Sequence, residues 1–165
     1  MTSRFFIPAE HADEEGLVHI GGRLTPDWLL DAYMHGIFPW PMPVRAAGMS
    51  NRLQSILAWF SPDPRCIFEF DRFHISRRLS RTCKSFRITS NADFSGVIRG
   101  CATPRKGDGT WITPAMIDAY IELHRLGYAH SVEAWSGDEL AGGVYGVAIG
   151  GLFAAESMFF RKKKN

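Results

Sequence analysis

The stretch SVEAWSGDELAGGVYGV (Ser131–Val147), followed by Gly150-Gly151 and then LFAAESMF (Leu152–Phe159), decides the fold. Ser131–Trp135 reads as a strand, Ser136-Gly137-Asp138 as a turn and Glu139–Val147 as a second strand, which together make a hairpin. Gly150-Gly151 then turns the chain into a third strand. Upstream, Thr113-Pro114 opens a helix carrying Met116, Ile117, Tyr120 and Leu123 at helical spacing, with Gly127 at its end. Phe94–Cys101 reads as a helix, Phe86–Thr89 as a strand, and Lys106–Thr110 as a glycine-containing loop. Ile75–Cys83 reads as a helix capped by Asp71 or the His74 region, and Cys66–Phe70 as a short strand.

The first third reads differently. Thr25-Pro26-Asp27 is a helix start, Leu29, Ala32 and Tyr33 share a face, and Gly36 closes the helix. The prolines of Phe38-Pro39-Trp40-Pro41 predict a stiff extended loop, and Pro41–Ser55 reads as irregular. Trp59–Arg65 reads as a second rigid aromatic loop holding a domain boundary. The expectation is an α+β chain: a small, helix-rich N-terminal lobe over residues 1–61, then a mixed domain over 62–165 with an antiparallel element.

With 165 residues, 45% hydrophobic and 22% charged, the chain can bury a core and is not globally disordered. No run reaches the roughly 18–20 apolar residues of a membrane span, and Met1–Glu15 lacks the apolar stretch of a signal peptide. Cys66, Cys83 and Cys101 form no CxxC pair, so neither a zinc site nor a disulfide framework is expected. A reduced, cytoplasmic protein follows.

The net charge is only +2, but it is polarised. Arg72, Arg77, Arg78, Arg81, Lys84 and Arg87 fall in a stretch without an acid, and Arg161–Lys164 form a second basic run. Arg77, Arg81 and Lys84 are spaced to share one helical face, suited to a phosphate backbone, although a solvated surface helix is the competing reading. Trp40 and Trp111 sit in stiff loops, where an indole can stack a base rather than fill a core. Strict alternation would put Leu152, Ala154, Glu156 and Met158 on one face of the last strand. A carboxylate among apolar neighbours needs a cation or donors, and the α-ammonium of an aminoacyl ester would serve; Val144, Phe153 and Met158 could line an apolar pocket beside it. The six histidines show no metal-ligand spacing, and no cysteine–histidine pair is singled out.

Several blocks together resemble the leucyl/phenylalanyl-tRNA–protein transferases. They are Gly21–Pro26 through Trp40, Ser61–Arg65 with His74–Arg77, Gly100–Ala102, Gly109–Thr113, Leu123–Glu133, Gly142–Ala148 and Glu156–Phe159. The resemblance implies a second domain similar to the GNAT acyltransferase fold, lacking its C-terminal strands. It implies transfer of Leu, Phe or Met from charged tRNA to the N-terminal Arg or Lys of proteins, which marks them for degradation. Trp40 and Trp111 match the residues that hold the 3′-adenosine and aminoacyl group. Val144, Phe153 and Glu156 match the aminoacyl pocket, with Ser157 and Met158 beside them and Glu156 as the catalytic residue; Arg77, Arg81 and Lys84 match the basic tRNA-facing helix. No metal or cofactor, no membrane and a monomer are implied.

Two departures stand out. Trp59-Phe60 replaces the family's Trp-Trp, and after Phe159 the chain runs to Lys162–Asn165 without the family's later Asp-Cys-Gln motif. An incomplete site, poor stability and a frameshift in an adenine-rich coding stretch are the resulting expectations, with tRNA binding without transfer as the alternative function. A CoA-dependent enzyme is disfavoured, because no Arg or Gln opens the pyrophosphate loop pattern of that class.

Overall fold

The computed structural model describes residues 2–45, 53–104 and 109–161. They fall into two compact units, one of Met1–Pro64 with Gly109–Glu122 and the other of Arg65–Asp108 with Leu123–Asn165.

The first unit is built on a three-stranded antiparallel sheet, which the sequence reading did not anticipate. Strands β1 (Leu17–Ile20), β2 (Phe38–Arg45) and β3 (Leu53–Phe60) lie in the order β1-β3-β2. The expected loops at Phe38–Pro41 and Trp59-Phe60 are therefore strand, as are the described parts of Pro41–Ser55. Prolines at 39, 41 and 43 alternate, so their missing N–H groups all fall on one side of β2. Because β2 is an edge strand, that side can face away from β3 while the residues between the prolines keep the ladder. Helix α1 (Pro26–Met34) begins where Thr25-Pro26 predicts, although the Thr25 hydroxyl donates to the Asp27 carboxylate instead of capping a backbone N–H.

Leu29, Ala32, Ile37, Ala58 and Trp59 are fully buried and form the core of this unit. Phe6 and Trp28 pack their rings about Trp59, whose Nε1 donates to the Gly21 carbonyl at 2.8 Å. The buried Asp31 carboxylate ties down the N-terminal segment. It accepts from the Ser3 hydroxyl at 2.6 Å and from the Arg4 and Phe5 amides. Burial acts to raise the Asp31 pKa, but these donors outweigh it and hold the group below its ordinary value.

The second unit carries a four-stranded antiparallel sheet in the order β4-β5-β6-β7, formed by β4 (Arg87–Ser90), β5 (Ala129–Ser136), β6 (Glu139–Ile149) and β7 (Leu152–Phe160). Helix α3 (Phe94–Ala102) lies on this sheet and buries Phe94, Val97 and Ile98. A Cβ on Gly143 would come 2.8 Å from Val97, and one on Gly100 would come 2.6 Å from the Phe159 ring, so glycine on both surfaces permits the close approach. Helix α4 (Pro114–Arg125) starts in residues of the first unit and ends in those of the second; the Thr113 hydroxyl caps it by accepting from the Met116 amide.

At the start of the second unit, Cys66–Phe70 forms no strand, because no neighbouring strand takes up its backbone groups; a 3-10 turn follows at Phe70–Arg72. Helix α2 spans Arg77–Cys83 and is capped by Ser76, not by Asp71 or His74. Most of the predicted Lys106–Thr110 loop and the residues after Arg161 lie outside the described residues.

Candidate functional site

Three places hold the residues singled out above. Trp40 and Trp111 belong to the first unit and stack on each other, with centroids 4.5 Å apart and planes 19° apart. Trp40 stands on β2, opposite Ala58, so a strand presents it and not the expected loop. With Pro39 and Pro41 on the buried side, period-two alternation turns Trp40 outward, and it is 40% exposed. Trp111 is half-buried, held between the Thr110 hydroxyl, which accepts from the Ile112 amide at 3.2 Å, and the buried Ile112 side chain. Seventy-one positions separate the two residues (111 − 40), so nothing local in sequence announces the pair. The result is a two-ring aromatic surface suited to stacking a planar base.

Helix α2 lies in the second unit, and Arg77, Arg81 and Lys84 are all exposed. Arg81 Nε donates to the Arg77 carbonyl at 3.4 Å, which keeps the two on one face. Among the described residues no ion pair places a carboxylate against these three cations. Arg72 differs from the reading of an unneutralised run: it pairs with Glu69, just upstream, at 2.8 Å.

The third place is around Glu156 on β7. The register slips between Tyr145 and Gly146, which pair with Ser157 and Ala155, so Glu156 is the extra residue of a β-bulge. The bulge corrects the predicted faces. Ser157 pairs with Tyr145 and Ala154 with Val147, so both share the buried face toward α3, as does Phe159. Met158 is 69% exposed on the opposite face, paired with Val144, and Phe153 leans its ring over Gly146. Val144, Phe153 and Met158 thus form an open apolar surface, while Glu156 and Ser157 are turned toward a different set of groups.

Those groups escaped the sequence reading. Burial pushes the Tyr145 phenol well above its ordinary pKa, and the neighbouring Glu156 carboxylate and Cys101 side chain add to the effect. Burial likewise pushes the Cys101 thiol up to about 11, against a hydrogen bond with Ser157. Glu156, Ser157, Tyr145 and Cys101 therefore form one electrostatically linked group, assembled by a bulge that alternation cannot foresee. A thiol pushed up this far is protonated near neutrality.

A second carboxylate, Glu133, is fully buried and was also missed. It accepts from the Ser131 and Thr89 hydroxyls and from the Ala92 amide, and Trp135 Nε1 donates to Thr89 at 2.8 Å. The pattern Ser131-x-Glu133 on one strand face was the available signal. Two histidines serve local structure: His124 bonds the Ala129 carbonyl at 2.8 Å and stacks on Phe94, and His35 bonds the Asp31 carbonyl at 2.7 Å. Among the described residues no group of three His, Cys, Asp or Glu could hold a metal ion. No described helix is long and apolar enough to cross a membrane.

Two family models match this chain. The one described as leucyl/phenylalanyl-tRNA protein transferase N-terminal domain covers residues 22–63, and the one described as leucyl/phenylalanyl-tRNA protein transferase covers residues 67–165. A curated leucyl/phenylalanyl-tRNA–protein transferase of Pseudomonas fluorescens is 51% identical over an alignment of 165 residues, with 97% of this chain and 69% of the relative covered. One from Anaeromyxobacter is 49% identical over 152 residues, with 90% of this chain and 60% of the relative covered. One from Xylella fastidiosa is 52% identical over 160 residues, with 93% and 62% covered. The chain thus spans about 60–69% of the length of these relatives. With ordered blocks from Gly21 to Phe159 and a family model across residues 67–165, the chain belongs to the leucyl/phenylalanyl-tRNA protein transferase family.

Proposed function

We propose that this chain binds aminoacyl-tRNA and transfers Leu, Phe or Met to the N-terminal Arg or Lys of acceptor proteins in the cytoplasm, acting as a monomer and tagging the acceptor for degradation. The observation that carries the reading is the stack of Trp40 on Trp111, a ready platform for the 3′-terminal adenine. Arg77, Arg81 and Lys84 face the tRNA phosphates. Glu156, beside Ser157, holds the α-ammonium of the aminoacyl group, while Val144, Phe153 and Met158, on the opposite face of the sheet, do not line the same pocket. The division into an N-terminal domain through Ser61 and a GNAT-like transferase domain from Pro62 belongs to the same reading.

The chemistry asks little of a nucleophile. The ester joining the amino acid to the tRNA is already activated, so the acceptor α-amine attacks its carbonyl carbon. A C–N bond forms, the C–O bond to the ribose breaks, and the proton lost by the amine ends on the departing ribose oxygen. The protein's part is positioning and charge stabilisation, with no covalent enzyme intermediate.

The test uses Leu-tRNA and Phe-tRNA labelled in the amino acid, with a peptide that begins with Arg. Label is expected to move into the peptide, and retention of charged tRNA on filters should weaken about tenfold in Trp40→Ala, the loss of one stacked base. Arg81→Ala should lower the salt slope of binding by about 1. Undiminished binding by Trp40→Ala would overturn the adenine assignment. Retention without labelled peptide would leave the second reading, a binder that does not transfer.

A further inference from the structure

The stack of Trp40 on Trp111 does not fix itself. Offset aromatic pairs hold over centroid separations of about 4.5–7 Å, so two partly exposed rings can slide without losing their attraction. A platform for a base needs a narrower tolerance. Two levers behind the rings supply it, and both belong to the first unit.

The lever behind Trp40 is α1. Tyr33 lies in its last turn, seven residues before Trp40. Backbone bonds close the turn that follows: the Gly36 amide donates to the Tyr33 carbonyl at 3.3 Å, and the Ile37 amide to the Ala32 carbonyl at 2.9 Å. Ile37 is fully buried, which seats the start of β2. The lever behind Trp111 is the first part of α4. The Thr110 and Thr113 hydroxyls accept from the Ile112 and Met116 amides, and the Ile117 amide donates to the Thr113 carbonyl at 3.0 Å. Met116 and Tyr120 are fully buried on one face of the helix, so Tyr120 is held in place relative to Trp111, nine residues earlier.

The two levers meet at their tyrosines. The Tyr33 and Tyr120 hydroxyl oxygens lie 2.6 Å apart, both in buried surroundings. A hydroxyl–hydroxyl bond holds only over about 2.5–3.0 Å, a far narrower range than the stack tolerates. Phenylalanine at both positions would fill the same space with no hydroxyl to match, so core filling alone does not account for the pair. The elements form a closed circuit: Trp40, α1, Tyr33, Tyr120, α4 and Trp111. We infer that Tyr33 and Tyr120 are positioning residues, whose hydroxyl contact fixes the offset of Trp40 on Trp111 and so keeps the platform in shape for a base. The consequence for tRNA rests on the reading of that stack as the adenine platform; the bracing of the rings does not.

The experiment labels the chain with fluorotryptophan and reads its five tryptophans by fluorine NMR, with Trp40→Phe and Trp111→Phe assigning those two signals. The variant carries Tyr33→Phe and Tyr120→Phe together, which keeps both rings and leaves neither hydroxyl facing an apolar ring edge. Its denaturation midpoint should stay near that of the parent. The Trp40 and Trp111 signals should broaden or move toward the unstacked position, while that of Trp135, in the second unit, stays in place. Retention of charged tRNA should weaken about fivefold, the factor carried by one neutral hydrogen bond. Each single variant should disturb the same two signals, since either one breaks the bond. Tyr128→Phe, at an exposed position in the second unit, should change neither the signals nor retention. Unmoved Trp40 and Trp111 signals in the single and double variants would overturn the inference, and a lowered midpoint with the stack intact would reduce the pair to ordinary core. Disturbed signals with undiminished retention would uphold the brace and sink the adenine platform. Because the fluorine signals are read without tRNA, the two failures are told apart.

Discussion

Helices α2 and α3 begin alike and end in different roles. Each has a side-chain cap, from Ser76 to the Leu79 amide at 3.2 Å and from Asp93 to the Gly96 amide at 2.8 Å. Yet α3 buries Phe94, Val97, Ile98 and Gly100, and α2 buries nothing. Caps therefore say where a helix starts and not whether it is core. The difference comes from the glycines, which let α3 settle on the sheet, and from three arginines in α2, which keep it in water. Substitutions around α3 should then register as stability, and substitutions on α2 as binding.

The largest effect is expected at Glu133, which secures the turn into α3. Glu133→Ala removes an acceptor shared by the Ser131 and Thr89 hydroxyls and the Ala92 amide, and leaves buried donors unmatched. A loss of about 3 kcal/mol is expected in urea denaturation. An unchanged midpoint would mean that the network is ornamental. Gly100→Val comes next. Its Cβ would come 2.6 Å from the Phe159 ring, so α3 or β7 must shift, at a cost of about 2 kcal/mol. The same denaturation curve checks it.

Acid should do less than Glu133→Ala, because a protonated Glu133 keeps its volume and part of its hydrogen bonding. Burial raises its pKa, but the hydrogen bonds from Ser131, Thr89 and the Ala92 and Asp93 amides outweigh it, so the folded value lies below the ordinary 4.5. The unfolded chain therefore binds the proton first. The contribution is complete above about 4.5 and is lost as pH falls through the folded value. Asp31, also held low, adds a loss of the same sign in the first unit. Thermal midpoints that stay level from pH 6 to pH 3 would contradict both.

Legibility in the sequence followed the range of the interactions. The Thr113-Pro114 start and the Ser136-Gly137-Asp138 turn were readable, because caps and turns are decided by near neighbours. Strand β2 was not, because three prolines read as a loop until an edge position makes room for their missing donors. Cys66–Phe70 failed the other way: its alternation is strand-like, but a strand needs a partner and sequence does not supply one. At the candidate site the grouping of the residues was not legible. The stack of Trp40 on Trp111 spans the chain, and the bulge at Glu156 reverses the side on which Ser157 and Met158 lie.

The smallest effect is the most telling. Leu79→Ala trims the apolar face of α2, and the isolated chain should lose less than about 0.5 kcal/mol, because the side chain is already exposed. The equivalent trim in α3, Val97→Ala, removes fully buried methyl groups against the close approach at Gly143, where interior substitutions cost far more. Measuring both by denaturation turns the comparison into a test: only Val97→Ala should matter. A Leu79→Ala loss as large as that of Val97→Ala in the isolated chain would mean that α2 is packed already, and the contrast between the helices would collapse.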